Sequence, residues 1–167
     1  MKRAYAVAGS LLFLLIAPGS IAVWVPWMLS RWQMHPPLLN LSLFRLLGVT
    51  LIILGLPLLL DSFARFALEG LGTPAPIAPP TRLVVSGFYR YVRNPMYVGV
   101  VFLILGQALF LGSTPLLSYC AFIWAAFHIF VLIYEEPSLR QTFGQQYETF
   151  CTNVPRWIPR VTPWKGE

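Results

Sequence analysis

Apolar residues along this chain fall into four long runs, at positions 4–29, 41–66, 97–111 and 116–134, interrupted by few charges. Runs of roughly fifteen to twenty apolar residues approach or reach the length that crosses a bilayer as a helix. The pattern predicts an all-α, polytopic membrane protein with about four transmembrane helices. Pro18-Gly19 and Pro26 are expected to kink the first helix, because proline lacks the N–H a helix interior needs. That run continues well past Ala22, which favours a retained helix over a cleaved leader although Lys2 and Arg3 precede it. Gly112-Ser113-Thr114-Pro115 reads as a tight turn that makes the last two helices an antiparallel hairpin. Gly48 with Gly55, and Gly99 with Gly106, recur two turns apart and read as helix-packing positions.

After Glu136 the pattern changes. Leu139, Phe143, Tyr147 and Phe150 recur at helical spacing among Arg140, Gln141, Gln145 and Gln146. They predict a short C-terminal amphipathic helix lying in the headgroup plane, ended by Pro155, Pro159 and Pro163. The proline-rich stretch 72–80 is expected to run extended, as a linker or as a wall of a ligand site. Gly70-Leu71-Gly72 reads as a helix end and turn. The organisation is one membrane-embedded domain, 1–167: an N-terminal helical pair (1–70), a cytoplasmic connector (71–96), a helical hairpin (97–134) and a cytoplasmic tail (135–167).

Composition narrows the class. The chain is 57% hydrophobic and 11% charged, under half the roughly 25% charge of soluble domains, so the lipid bilayer is its first partner. A net charge of +6 fits contact with anionic headgroups. The arginines form no solvated basic stripe, so nucleic acid is not expected. Cys120 and Cys151 lack metal-ligand spacing, and no metal is expected. If both termini share a compartment, all Lys and Arg except Arg31 and Arg45 fall on one side, with all the acidic residues. The positive-inside rule then places both termini in the cytoplasm, at a bacterial inner membrane or its equivalent. Trp24, Trp27, Trp32, Trp157 and Trp164 read as interface belts.

Candidate chemistry sits on that cytoplasmic side. Arg90-Tyr91-Val92-Arg93-Asn94-Pro95-Met96-Tyr97-Val98-Gly99 opens the third apolar run, and Glu135-Glu136 closes the fourth. Adjacent carboxylates at a helix C-terminus meet an unfavourable dipole, so a cation is expected beside them: Arg90, Arg93, Arg156 or a bound ion. Pro95 is expected to start the third helix with Asn94 as its N-cap, leaving N–H groups that receive an anion. Tyr89, Tyr91 and Tyr97 offer ring faces for a flat group or a cation. His128 precedes Glu135 by two turns, as a functional group or as a histidine bonded to a neighbouring helix. The plainer alternatives are an interfacial salt-bridge cluster locking the tail and an arginine–tyrosine lipid anchor.

The ordered set of motifs is more specific than any one of them. The stretches Leu83 to Tyr89, Arg93 to Gly99, Glu135-Glu136, Phe143 to Tyr147 and Val154-Pro155-Arg156 together resemble the C-terminal half of the isoprenylcysteine carboxyl methyltransferase family. Phospholipid N-methyltransferases are similar too, sharing the Asn-Pro-Met-Tyr core and a Glu-Glu-Pro run, here Glu135 to Pro137. The likeness covers about 83–159. It implies S-adenosyl-L-methionine as methyl donor, bound within about 81–160. Leu83, Val84, Tyr89, Arg93, Asn94, Pro95, Met96, Tyr97 and Gly99 would line it, and Glu135 and Glu136 would face its cationic end. The implied activity is methyl transfer at the cytoplasmic face to a lipophilic or small acceptor, a carboxylate, thiol or amine, with Glu135, Glu136 and His128 as catalytic candidates. Prenylcysteine enzymes usually carry His at the position of Asn94 and no proline after the acidic pair, so the acceptor stays open, as does the oligomeric state. Sterol reductases are distantly similar in their C-terminal arrangement, which keeps a nicotinamide-dependent membrane reductase as an alternative. A noncatalytic membrane scaffold is the third.

Overall fold

The computed structural model describes residues 2–70 and 82–166. The connector expected at 72–80, and the Leu71-Gly72 turn before it, lie outside these residues. Those described form helices and irregular segments without strands. The first apolar run is α1 (Lys2–Gly19), a π-turn (Ser20–Trp24) and α2 (Val25–Ser30). The second is α3 (Leu43–Arg65), which ends in a π-turn (Phe66–Gly70). The third is α4 (Pro95–Leu111), and the fourth opens with α5 (Thr114–Phe130). Among the described residues, three continuous helical stretches are long and apolar enough to cross a membrane, Val7–Ser30, Leu43–Glu69 and Thr114–Phe143, while Pro95–Leu111 is apolar but shorter. The chain is an integral membrane protein.

The tightest packing joins α3 and α4, which run antiparallel. Gly48 lies against the backbone of Gly106, and one stretch further along Gly55 lies against Gly99. A Cβ on Gly106 would sit 2.7 Å from the Gly48 carbonyl oxygen, and one on Gly99 would sit 2.9 Å from that of Gly55. Small residues let two backbones approach where lipid supplies no hydrophobic force to hold helices together. Gly106→Ala is therefore expected to cost roughly 1–3 kcal/mol, as overpacking does, read as a lowered thermal midpoint in detergent. Leu59, Phe63, Met96, Val100, Ile104, Cys120 and Ile123 fill the core between α3, α4 and α5.

Two of the π-turns, Ser20–Trp24 and Val131–Glu135, stand two residues before a proline. The turn at Ser20–Trp24 precedes Pro26, and the Val25 N–H bonds to the Ser20 oxygen. The expected kink is thus absorbed by a wider turn. The loosened carbonyls of Ile21 and Ala22 accept from Tyr119 Oη at 3.0 Å and Gln107 Nε2 at 2.8 Å, as an apolar surround requires. The hairpin turn is as expected: Gly112 takes φ 68°, where glycine carries no penalty.

The fourth run departs from expectation. It does not end at the acidic pair. A π-turn (Val131–Glu135) leads directly into α6 (Glu136–Phe143). The single amphipathic helix expected over 139–150 is two helices, α6 and α7 (Gln145–Asn153), broken at Gly144 with φ 51°.

Candidate functional site

The π-turn determines where the two glutamates point, because one extra residue per turn rotates the helix face that follows. Glu136 turns inward and is only 2% exposed. Arg156 holds it with a two-pronged contact, Nε to Oε1 at 2.6 Å and Nη2 to Oε2 at 3.0 Å. Arg93 Nη1 lies 3.1 Å from Oε1, and Arg140 Nη1 lies 3.7 Å from Oε2. The hydrogen bond to Glu136 raises the Arg156 guanidinium further above its ordinary range. The expected cationic partners are therefore Arg93 and Arg156, joined by Arg140. Arg90 instead donates through Nε to the Trp164 carbonyl oxygen.

Glu135 differs. No cation faces it among the described residues. Its Oε2 accepts from Tyr97 Oη at 2.6 Å, and the Tyr97 ring packs on Phe127 with centroids 4.6 Å apart. Tyr89 lies close by, tilted against Phe66. Burial pushes its hydroxyl well above the ordinary tyrosine range, and the Glu135 charge adds to that, so Tyr89 stays a neutral donor. The dipole argument for cations fails at this pair, since the helix continues; burial beside the arginines supplies the reason instead.

The C-terminal segment straps across the arginine motif. Arg93 N–H donates to the Pro155 oxygen, Arg160 N–H to that of Tyr91 and Trp164 N–H to that of Arg90, each at 2.9 Å. Asn94 occupies the N-cap position of α4 without capping it; its Nδ2 donates to the Arg156 oxygen at 3.1 Å. Asn94 is thus a strap anchor. Leu83, Val84 and Tyr89 pack with Tyr147, Phe150 and Val154 in a second small core beneath the strap. The α3 end fixes the incoming connector: Arg65 Nε contacts both oxygens of Asp61, and Ser86 Oγ donates to Glu69.

Of the residues expected to line a donor, Tyr97, Tyr89 and Glu135 converge. Arg93 and Asn94 border them, and Arg93 Nε is buried without a partner among the described residues. Pro95 and Met96 are buried within the helix assembly and Gly99 lies in the seam with α3. His128 stacks on Trp124 at 5.3 Å and accepts the Trp157 indole N–H through Nδ1 at 3.0 Å. Arg140 was missed, although its place four residues after Glu136 is a pairing signal. Trp157, read as a belt residue, contacts His128 across the strap, which no local pattern announces.

These features define a helical membrane protein with an arginine-locked carboxylate beside one that, among the described residues, is held by a tyrosine and faces no cation. The phospholipid methyltransferase family profile matches residues 43–146, more than half of the chain, and the chain belongs to that family. A protein-S-isoprenylcysteine O-methyltransferase of Schizosaccharomyces pombe is 36% identical over 80 residues, covering 47% of this chain and 34% of the relative. A methanethiol S-methyltransferase of Crocosphaera subtropica is 30% identical over 86 residues, covering 49% and 31%. A Delta(14)-sterol reductase of Mus musculus is 31% identical over 91 residues, covering 52% and 21%. The chain thus spans less than half the length of each of these relatives. No solved structure matches.

Proposed function

We propose that the chain is an S-adenosyl-L-methionine-dependent methyltransferase acting at the cytoplasmic membrane face on a lipophilic or small acceptor. One observation carries this assignment: Glu135, without a cationic partner among the described residues, is held by Tyr97 beside the start of α4. An unpaired, largely desolvated carboxylate favours a cationic ligand group, and the donor's ammonium supplies one. The donor's carboxylate finds the first-turn N–H groups of α4 and Arg93 Nε. Tyr97 and Tyr89 offer ring faces, with Leu83 and Val84 behind them. Glu136 is committed to three arginines, so Glu135 alone takes the cationic end.

When bound, the donor supplies a methyl group on a sulfonium. The chain's own part is to hold the two reactants in line and to exclude water with the strap. α4 serves as a fourth span, antiparallel to α3, so that both termini are cytoplasmic. α6 and α7 lie at the headgroup level, where Ile158 and Val161 of the strap, 79% and 97% exposed, meet lipid.

The sterol reductase likeness favours a second assignment, a nicotinamide-dependent reductase. Its cofactor's phosphates need several free cations, whereas Arg140 and Arg156 are held by Glu136 and Arg93 keeps only its Nε unengaged. Equilibrium binding to the purified protein in detergent decides between them. S-adenosylmethionine is expected to bind in the micromolar range and NADPH not to compete. Binding of NADPH alone would overturn the methyltransferase assignment. Lipid, thiol and amine acceptors are then screened for methyl incorporation.

A further inference from the structure

The side of the site bordered by Tyr97 is closed by Trp157. Both line a cleft of about 120 Å³ with Val98, Val101, Phe102 and Trp124. Trp157 reaches this position because His128 accepts its indole N–H at 3.0 Å and because its ring also packs on His128, centroids 5.8 Å apart. His128 is in turn fixed by stacking on Trp124, with planes 11° apart. A neutral imidazole has one acceptor nitrogen. Here Nδ1 is that acceptor, so the proton is on Nε2 and no lone pair remains to take a proton from a substrate. Arg156, the next residue back, grips Glu136.

We propose that His128 is a positioning residue rather than a base: through Nδ1 it latches Trp157, and with it the C-terminal strap, shut beside the Glu135–Tyr97 pair. The functional consequence rests on the methyltransferase assignment; the latch itself does not. In methyl transfer, His128→Phe leaves kcat within about threefold and raises the donor KM roughly tenfold, the effect of one lost half-buried hydrogen bond.

The test is hydrogen exchange of the purified full chain in detergent, read over 157–164, where the Arg160 and Trp164 amides are bonded to Tyr91 and Arg90. His128→Phe keeps the stack and removes the acceptor; Trp157→Phe keeps a ring and removes the donor. Each is expected to speed exchange roughly tenfold, and the double variant no more than either alone. His128→Asn, whose amide oxygen takes the place of Nδ1, is expected to return exchange to within about threefold of the unsubstituted protein. Unchanged exchange in His128→Phe, or factors that multiply in the double variant, would overturn the latch, and a hundredfold kcat loss at constant KM would overturn the positioning role. Failure of the unsubstituted protein to bind S-adenosylmethionine would instead overturn the methyltransferase assignment and leave the exchange result standing.

Discussion

Glu136→Ala is expected to destabilise the half of the protein that carries the C-terminal strap by about 3–5 kcal/mol, the cost of stripping one partner from a buried ion pair. The carboxylate is 2% exposed, and the Arg93 side chain that it neutralises is 10% exposed. Without Glu136 the Arg93 guanidinium stays charged in a dry place, with Cys151 Sγ as its remaining side-chain acceptor. Arg156 and Arg140 are 30% and 46% exposed and contribute less, because solvent screens them. The measurement is unfolding in detergent together with protease cutting of the 154–166 segment, which should be released first. Removing both charges tests the cause. Glu136→Leu combined with Arg93→Met is expected to recover most of the loss, since an apolar pair leaves no unmatched ion. A Glu136→Ala variant within about 1 kcal/mol of the unsubstituted protein would show that water reaches the cluster.

The same cluster shows what sequence patterns convey and where they stop. Two adjacent carboxylates after an apolar run demand compensation, and two of the arginines named for it, Arg93 and Arg156, are there. Helix positions, the Gly112 turn and the paired packing glycines were equally legible, because each follows from local geometry or from residue size. The end of the fourth run was not. Glu135-Glu136 reads as the close of that run, yet the helix continues past it through Pro137. The π-turn before it bonds the Glu136 N–H to the Val131 oxygen, and the missing proline N–H falls where the register is already shifted. Pro26 stands in the same relation to the turn at Ser20–Trp24. That continuation separates Glu135 from Glu136 in role, a distinction invisible in two identical neighbours. Asn94 does stand at the N-cap position of α4, but its side-chain oxygen caps no N–H there; its Nδ2 donates to the strap carbonyl of Arg156. Long-range contacts such as Trp157 to His128 leave no periodic trace.

Glu135→Gln is the complementary experiment, with a large effect on binding and a small one on folding. The amide still accepts from Tyr97 at the position of Oε2, so the unfolding midpoint is expected to move little. The negative charge is lost, and S-adenosylmethionine binding should weaken roughly ten- to a hundredfold, the worth of a hydrogen bond to a charged group. S-adenosylhomocysteine separates the two cationic groups of the donor, because it keeps the ammonium and lacks the sulfonium charge. A carboxylate forms charge-assisted hydrogen bonds with N–H donors, which a sulfonium does not have, so both ligands are expected to lose affinity equally in Glu135→Gln. A loss confined to S-adenosylmethionine would move Glu135 to the sulfonium. Equal, undiminished binding of both would remove it from the donor site. Tyr97→Phe should weaken both ligands by a smaller factor, about three- to tenfold, since it frees Glu135 from its fixed orientation but leaves the charge in place.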